Sequence, residues 1–219
     1  MASNLTHVYM MPGMAANPSI FEYIKLPEED YQIHWLEWIL PLSEESLFSY
    51  AKRMCSYVSH DNPVLIGVSF GGMLVQEMAK VLHCKKVIVI SSVKSHHELP
   101  VHLKFLRKTK TYKILPTQLV TNIEVLLKYA FGETAKKRVE LYEKYLSVRD
   151  KDYLDWAIKQ IVCWAQEAPD EQTIFIHGDS DLVFPNSCNG KTIVIKGGTH
   201  IMIINKYKWF NENLPKLMA

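Results

Sequence analysis

The chain has 219 residues, of which 48% are hydrophobic and 22% are charged, and its formal net charge is +2 at pH 7. This length and composition predict one soluble globular domain, 1–219, with a sizeable core. The small positive charge argues against nucleic-acid binding, and no stretch approaches the roughly 18 apolar residues that a membrane span requires.

The N-terminus has no basic region followed by an apolar segment, so we expect no cleaved signal peptide. The four cysteines are scattered without C-x-x-C spacing or a matching histidine cluster. The sequence therefore predicts neither a zinc site nor a disulfide framework, and it favours a reducing, cytoplasmic location. It does not indicate an oligomeric state.

Short β-type runs alternate with helical patterns over most of the chain. This alternation predicts an α/β fold, with a mostly parallel sheet of about six strands and helices on both faces. Several runs are apolar throughout, as strands buried on both faces are. The predicted strands are 6–11, 32–38, 64–68, 86–91, 173–177 and 192–196, and helices are predicted at 44–58, 72–82 and 205–214.

One region interrupts the alternation. Residues 100–168 hold no convincing strand but only helical patterns, and these patterns predict a small helical cap inserted before the strand that carries the acidic residues. We place the cap at 94–170 and expect it to share one core with the sheet, because no linker or repeat divides the chain. The clearest helical patterns in it are 118–131, 134–146 and 152–166.

A glycine-containing loop follows the first strand, in the order Pro12, Gly13, Met14. Such a loop lets the backbone approach a ligand, so the Met14 N–H is a candidate donor to negative charge that develops on a substrate oxygen. A plain β–α turn has the same pattern.

Ser69 stands between two glycines in the run Gly-Val-Ser-Phe-Gly at 67–71, directly after an apolar strand and before a helical pattern. In this context the run predicts a sharp turn that holds the serine at positive φ and exposes its hydroxyl as a nucleophile. A side chain two positions away would collide with the strand or the helix, which favours glycine there. The helix that follows presents its first N–H groups, Phe70 foremost, to a reacting carbonyl oxygen.

Two carboxylates follow the strand at 173–177, and parallel sheets form ligand sites at the carboxyl ends of strands. Asp181 lies further into the loop and can reach a histidine on the next loop. Asp179 lies closer to the strand and is suited to accept hydrogen bonds from nearby backbone N–H groups. We favour Asp181 as the catalytic acid and keep Asp179 as the alternative.

His200 follows the strand at 192–196 after a glycine pair, so it emerges at the same edge of the sheet and is the predicted base. The other histidines receive no role. Two of them could line the pocket but have no acidic residue placed to orient them, one lies within an apolar strand as a structural residue, and no partner is suggested for the rest: His96 and His97, His177, and His7, His34, His60, His83 and His102.

The order of serine turn, acid and histidine, each after its own strand, resembles the α/β-hydrolase family over nearly the whole chain. The resemblance implies Ser69 as nucleophile, Asp181 as acid and His200 as base, with the Met14 and Phe70 N–H groups as the oxyanion hole. It also implies a serine esterase that cleaves a small acyl substrate through an acyl-enzyme, with no metal or organic cofactor. The Pro-Gly pair at 12–13 departs from the family's frequent His-Gly, and 182–190 is too short for the usual helix.

Two other functions stay open on the sequence alone. The same fold and triad serve lyases that split cyanohydrins. The second alternative is that the protein is a ligand receptor or interaction module that keeps the triad while its cap closes on a bound molecule. The acyl size is not readable either, because apolar residues near the predicted site are more often core than pocket lining: Met10, Met11, Met14, Phe70 and Met73.

Overall fold

A computed structural model of the chain describes residues 5–110, 144–185, 187 and 190–219. Within these residues, six strands form one open sheet in which every neighbouring pair is parallel. The sheet has the order β2-β1-β3-β4-β5-β6. The strands are β1 (Thr6–Met11), β2 (Tyr31–Trp35), β3 (Val64–Val68), β4 (Lys86–Ile90), β5 (Ile174–Gly178) and β6 (Thr192–Ile195).

Helices connect and cover the strands. Two short 3₁₀ helices lie at Pro18–Phe21 and His96–Glu98. The α-helices of the described residues are α1 (Leu47–Cys55), α2 (Phe70–Met78), α3 (Val101–Thr109), α4 (Lys151–Cys163), α5 (Met202–Asn205) and α6 (Tyr207–Met218).

Each face of the sheet is buried under helices, because successive side chains of a strand point to opposite faces. On one face Tyr9 and Leu65 pack with buried residues of α1, α2 and α4. On the other face Val8 and Ile66 pack with the 3₁₀ helix Pro18–Phe21, α5 and α6. The predicted α/β fold, with a parallel sheet of about six strands and helices on both faces, is confirmed.

The helix ends differ from the predicted ones where a capping side chain sets the boundary. α1 begins after Ser46, whose hydroxyl accepts a hydrogen bond from the Ser49 N–H at 3.1 Å. α4 begins after Asp150, whose carboxylate accepts from the Tyr153 N–H at 2.9 Å. The terminal helix predicted at 205–214 corresponds to α6, and the four-residue helix α5 just before it was not predicted.

Part of the predicted cap falls within the described residues. α4 corresponds to the predicted helix at 152–166 and contributes buried side chains to the same core as the sheet: Tyr153, Leu154, Trp156 and Ala157. The predicted helix at 118–131 lies outside the described residues, and so does all of the one at 134–146 except 144–146. The limits of the cap, 94–170, stay a prediction.

Two indole groups join α4 and its end to the rest of the molecule. Trp156 Nε1 donates to the Glu45 carbonyl oxygen at 2.7 Å, and Trp164 Nε1 donates to Glu77 Oε1 at 2.8 Å.

No helix in the described part of the chain combines the length and apolarity needed to cross a bilayer.

Candidate active site

The candidate site lies at the carboxyl ends of β1 and β3, where a crevice is expected between the strand ends. The strand order reverses at this point of the sheet. From β1 the chain goes to β2 on one side of β1, and it then returns to β3 on the other side of β1. Such a reversal is where open parallel sheets bind ligands. The two sequence motifs meet in this crevice, because a Cβ placed on Gly13 would lie 3.3 Å from Ser69 Cβ.

The backbone of Ser69 has the predicted positive φ, with φ 54° and ψ −121°. Its N–H donates to the Ile90 carbonyl oxygen on β4 at 2.9 Å, and its own carbonyl accepts from the Gly72 N–H at 2.9 Å. The neighbouring strand and the first turn of α2 therefore hold the serine in a conformation that an isolated residue avoids.

The two flanking glycines are required by close backbone contacts. A Cβ on Gly67 would lie 2.3 Å from the Gly71 carbonyl oxygen, which is the predicted collision with the helix. A Cβ on Gly71 would lie 2.3 Å from the Pro12 carbonyl oxygen. The obstacle at Gly71 is thus the loop after β1, and not the strand or helix of the serine turn itself.

A continuous chain of hydrogen bonds joins Ser69, His200 and Asp181. His200 Nε2 lies 2.9 Å from Ser69 Oγ, and His200 Nδ1 lies 2.9 Å from Asp181 Oδ2. A carboxylate can only accept, so Nδ1 carries the proton and Nε2 has the lone pair that faces the serine hydroxyl. In this tautomer the imidazole is able to take a proton from Ser69.

Asp181 is only 3% exposed and is held at both carboxylate oxygens. Its Oδ1 accepts from the Val183 N–H at 2.8 Å and from the Phe184 N–H at 3.1 Å, while Oδ2 faces His200. Burial by itself raises the pKa of Asp181, but contacts with the His177 and His200 imidazoles and the backbone N–H groups outweigh it and hold the pKa below its usual range. The carboxyl group is therefore ionised at neutral pH.

Asp179 accepts a hydrogen bond from a backbone N–H group, as its position close to the strand predicts. Its Oδ1 accepts from the Gly197 N–H at 2.7 Å, so it fastens the loop after β5 to the loop after β6. The Ser180 N–H donates to the Gly198 carbonyl oxygen at 3.0 Å and makes a second such link. These two bonds fix the loops that carry Asp181 and His200, but Asp179 itself does not contact the imidazole in the structure.

His177 is a neighbour of Asp181 that the sequence interpretation left as merely structural. It is 1% exposed, and its Nε2 lies 3.2 Å from Asp181 Oδ2. Neither ring nitrogen makes a well-formed hydrogen bond to any described residue, so the ring lies against the Asp181 carboxylate without a well-formed bond to it. In the sequence, the only sign of this contact was that His177 and Asp181 are four residues apart.

The loop after β1 presents Met14 beside the serine turn. Trp38 Nε1 donates to the Gly13 carbonyl oxygen at 2.8 Å, and the Ala15 N–H donates to the Tyr153 hydroxyl at 3.4 Å. Within the described residues, the Met14 and Phe70 N–H groups make no hydrogen bond of their own. Their role as oxyanion donors stays a prediction.

Most of the apolar residues near the site belong to the core. The Phe70 ring is fully buried and stacks on Trp38 with ring centroids 4.9 Å apart. Phe184 packs edge-on against the His200 ring at 5.6 Å. Of the candidate pocket residues, only Met14 is partly exposed, whereas four are buried: Met10, Met11, Phe70 and Met73.

No protein-family model matches the sequence, and no curated protein sequence matches it significantly. The structure, however, is similar to many solved structures. A hydrolase from Pseudomonas aeruginosa has a TM-score of 0.72 at 11% identity, over 100% of this chain and 91% of that one. An esterase from Exiguobacterium antarcticum has a TM-score of 0.69 at 18% identity, over 97% and 91%. A bromoperoxidase from Bacillus anthracis has a TM-score of 0.68 at 19% identity, over 99% and 92%.

The chain has the α/β-hydrolase fold, as its sequence motifs implied. At these identities the similarity establishes the fold, and the chemistry has to be argued from the site.

Proposed function

We propose that the protein is a serine hydrolase that cleaves a carboxylic ester, or a related small acyl compound, through an acyl-enzyme. The observation that carries this proposal is the unbroken chain of hydrogen bonds from Ser69 Oγ through His200 to Asp181, with Ser69 on a strained turn. A serine in such a chain is activated, because the imidazole removes its proton as it attacks.

The reaction follows from the positions of the three side chains. His200 Nε2 takes the proton of Ser69 as Oγ bonds to the acyl carbon, and Asp181 stabilises the imidazolium that forms. His200 then gives the proton to the leaving alcohol, which departs and leaves an acyl-enzyme. A water molecule, activated by the same imidazole, releases the acid and restores Ser69.

The negative charge on the acyl oxygen requires donors that are already in place. We assign this role to the Met14 and Phe70 N–H groups, because Phe70 directly follows Ser69 and Met14 directly follows Gly13, which lies against Ser69. Fixed backbone donors stabilise an oxyanion without reorganisation at the moment of reaction. None of these steps calls for a metal or an organic cofactor.

The test is hydrolysis of p-nitrophenyl esters of increasing acyl length by the wild type and by Ser69→Ala. We expect Ser69→Ala to lower kcat by about 10⁴-fold or more and to abolish labelling by a fluorophosphonate. Ser91→Ala is the matched control, because Ser91 also has a positive φ, of 51°, at a strand end, and its buried hydroxyl has no hydrogen-bond partner in the described part of the chain. It should keep both activity and labelling.

Two results would overturn the proposal. Full esterase activity and labelling in Ser69→Ala would exclude the serine as nucleophile. Release of aldehyde from cyanohydrins by the wild type, without turnover of any ester, would instead assign the site to a lyase.

A further inference from the structure

Three histidines come together away from the Ser69 crevice. His7 lies near the start of β1, His34 lies on β2, and His60 lies in the loop that leads into β3. One ring nitrogen of each lies within 4.8 Å of those of the other two, and all three residues are half-buried. None of the three takes part in the proposed hydrolysis.

The sheet explains why residues so distant in sequence meet. His34 pairs with Tyr9 in the parallel register of β1 and β2, and His7 lies two residues before Tyr9 on the same face. The loop that carries His60 is fastened to this face, because the Ser59 N–H donates to the Tyr9 hydroxyl at 3.1 Å. Three separate segments of the chain therefore deliver one imidazole each to the same spot.

Two of the nitrogens are already in contact. His7 Nδ1 and His34 Nε2 form a hydrogen bond of 3.0 Å, and an ion between them would replace the shared proton. Two nitrogens that bind one tetrahedral ion at 2.0–2.1 Å lie about 3.3 Å apart, so this pair is close to the required separation.

Tyr9 prepares the third ligand. Its hydroxyl lies 2.6 Å from His60 Nδ1. When Nδ1–H donates to Tyr9, the lone pair is on Nε2, which is the nitrogen left to bind an ion. A hydrogen bond from the second nitrogen to an oxygen is the usual support of a metal-binding histidine.

We propose that His7, His34 and His60 bind one divalent transition-metal ion, Zn²⁺ foremost, at a site separate from the Ser69 crevice. Imidazole ligands suit this class of ion, and water completes the coordination. The rings of His7 and His60 are stacked in parallel with centroids 3.4 Å apart, so one ring turns when both nitrogens face the ion. The ion joins the edge strand β2 to β1 and to the loop before β3, which makes it a stabilising site and not a catalytic one.

The experiment titrates ZnCl₂ into tag-free protein by calorimetry and follows the thermal midpoint. We expect one high-affinity ion per chain and a rise in Tm that EDTA reverses. His34→Gln and His60→Gln should each weaken binding by at least about 10–100-fold and remove the rise in Tm. His60 lies outside the sheet, so His60→Gln keeps the test decisive even if His34→Gln impairs folding.

The control addresses the second group of possible ligands in the described residues, which is His96, His97 and Glu167. His97→Gln should bind Zn²⁺ as the wild type does. The proposal is overturned if the wild type does not bind, if His34→Gln and His60→Gln bind normally, or if His97→Gln alone loses the ion. Because Ser69→Ala should bind Zn²⁺ normally, the result does not depend on the hydrolase proposal.

Discussion

At the scale of single residues, Asp181 has the most constrained side chain of the site. One carboxylate oxygen receives two backbone N–H groups, and the other faces His200 and His177 at 2.9 and 3.2 Å. The position of the carboxylate orients the imidazole of His200, and its negative charge favours the tautomer with the proton on Nδ1.

We expect Asp181→Asn to lower kcat for ester hydrolysis by about 10⁴-fold, because an amide can present a donor to His200 and stabilise the wrong tautomer. Steady-state kinetics on the best p-nitrophenyl ester measure the effect. Asp179→Asn is the matched control, since the amide oxygen can still accept the bond that Gly197 N–H makes to Asp179. Equal losses in the two variants would argue against Asp181 as the acid.

The same carboxylate makes stability depend on pH. The folded pKa of Asp181 lies below the value of about 3.9 for an unfolded aspartate, so its stabilisation is complete above that value and is lost as the pH falls towards the folded pKa. Urea unfolding between pH 7 and pH 2 should therefore show a steeper loss of stability in the wild type than in Asp181→Asn. Parallel curves would contradict the lowered pKa.

At the scale of elements, the serine turn works because α2 and the loop after β1 pack backbone against backbone. Gly71→Ala would place a methyl group 2.3 Å from the Pro12 carbonyl oxygen. We expect a loss of about 1–3 kcal/mol in unfolding free energy, together with a large loss of activity as the loop moves away from Ser69. Chemical denaturation and ester kinetics on the same preparation measure both quantities.

The comparison variant is Gly190→Ala. A side chain at Gly190 would also be strained, since its φ is +70°, but an added Cβ would meet no described residue within 4 Å. It should show a backbone cost of about 1–2 kcal/mol with unchanged kcat. If Gly71→Ala retained full activity, close packing of the loop against α2 would not be needed for the site.

At the scale of the whole molecule, the structure joins α4 to the sheet. Its buried residues belong to the core on the α1 and α2 face, and Trp156 donates to the Glu45 carbonyl oxygen. Segments that share a core unfold together, whereas segments with few buried contacts open locally.

Hydrogen exchange followed by mass spectrometry tests whether α4 unfolds together with the sheet. Peptides from α4 should exchange with the same free energy as peptides from β3. Peptides from α3 should exchange faster, because α3 has no buried residue. An α4 that exchanges well before β3 would show that the cap unfolds as a separate unit.

Much of the fold could be predicted because its signals are local. All six strands were predicted, and the apolar run 64–68 matches β3 at both ends. Helix boundaries were less accurate, since the side chains of Ser46 and Asp150 accept hydrogen bonds that set the helix starts independently of the apolar pattern. The short helix α5 was missed because its four residues are too few to show a helical periodicity.

The order of elements and the serine turn can be inferred from the sequence, because both depend on residues that are adjacent in the chain. The assembled fold is needed to show that Asp181 and not Asp179 contacts His200, that His177 lies against the same carboxylate, and that His7, His34 and His60 meet. These contacts depend on strand order and register. Residues far apart in sequence become neighbours only when the sheet assembles, and no local pattern of residues contains that information.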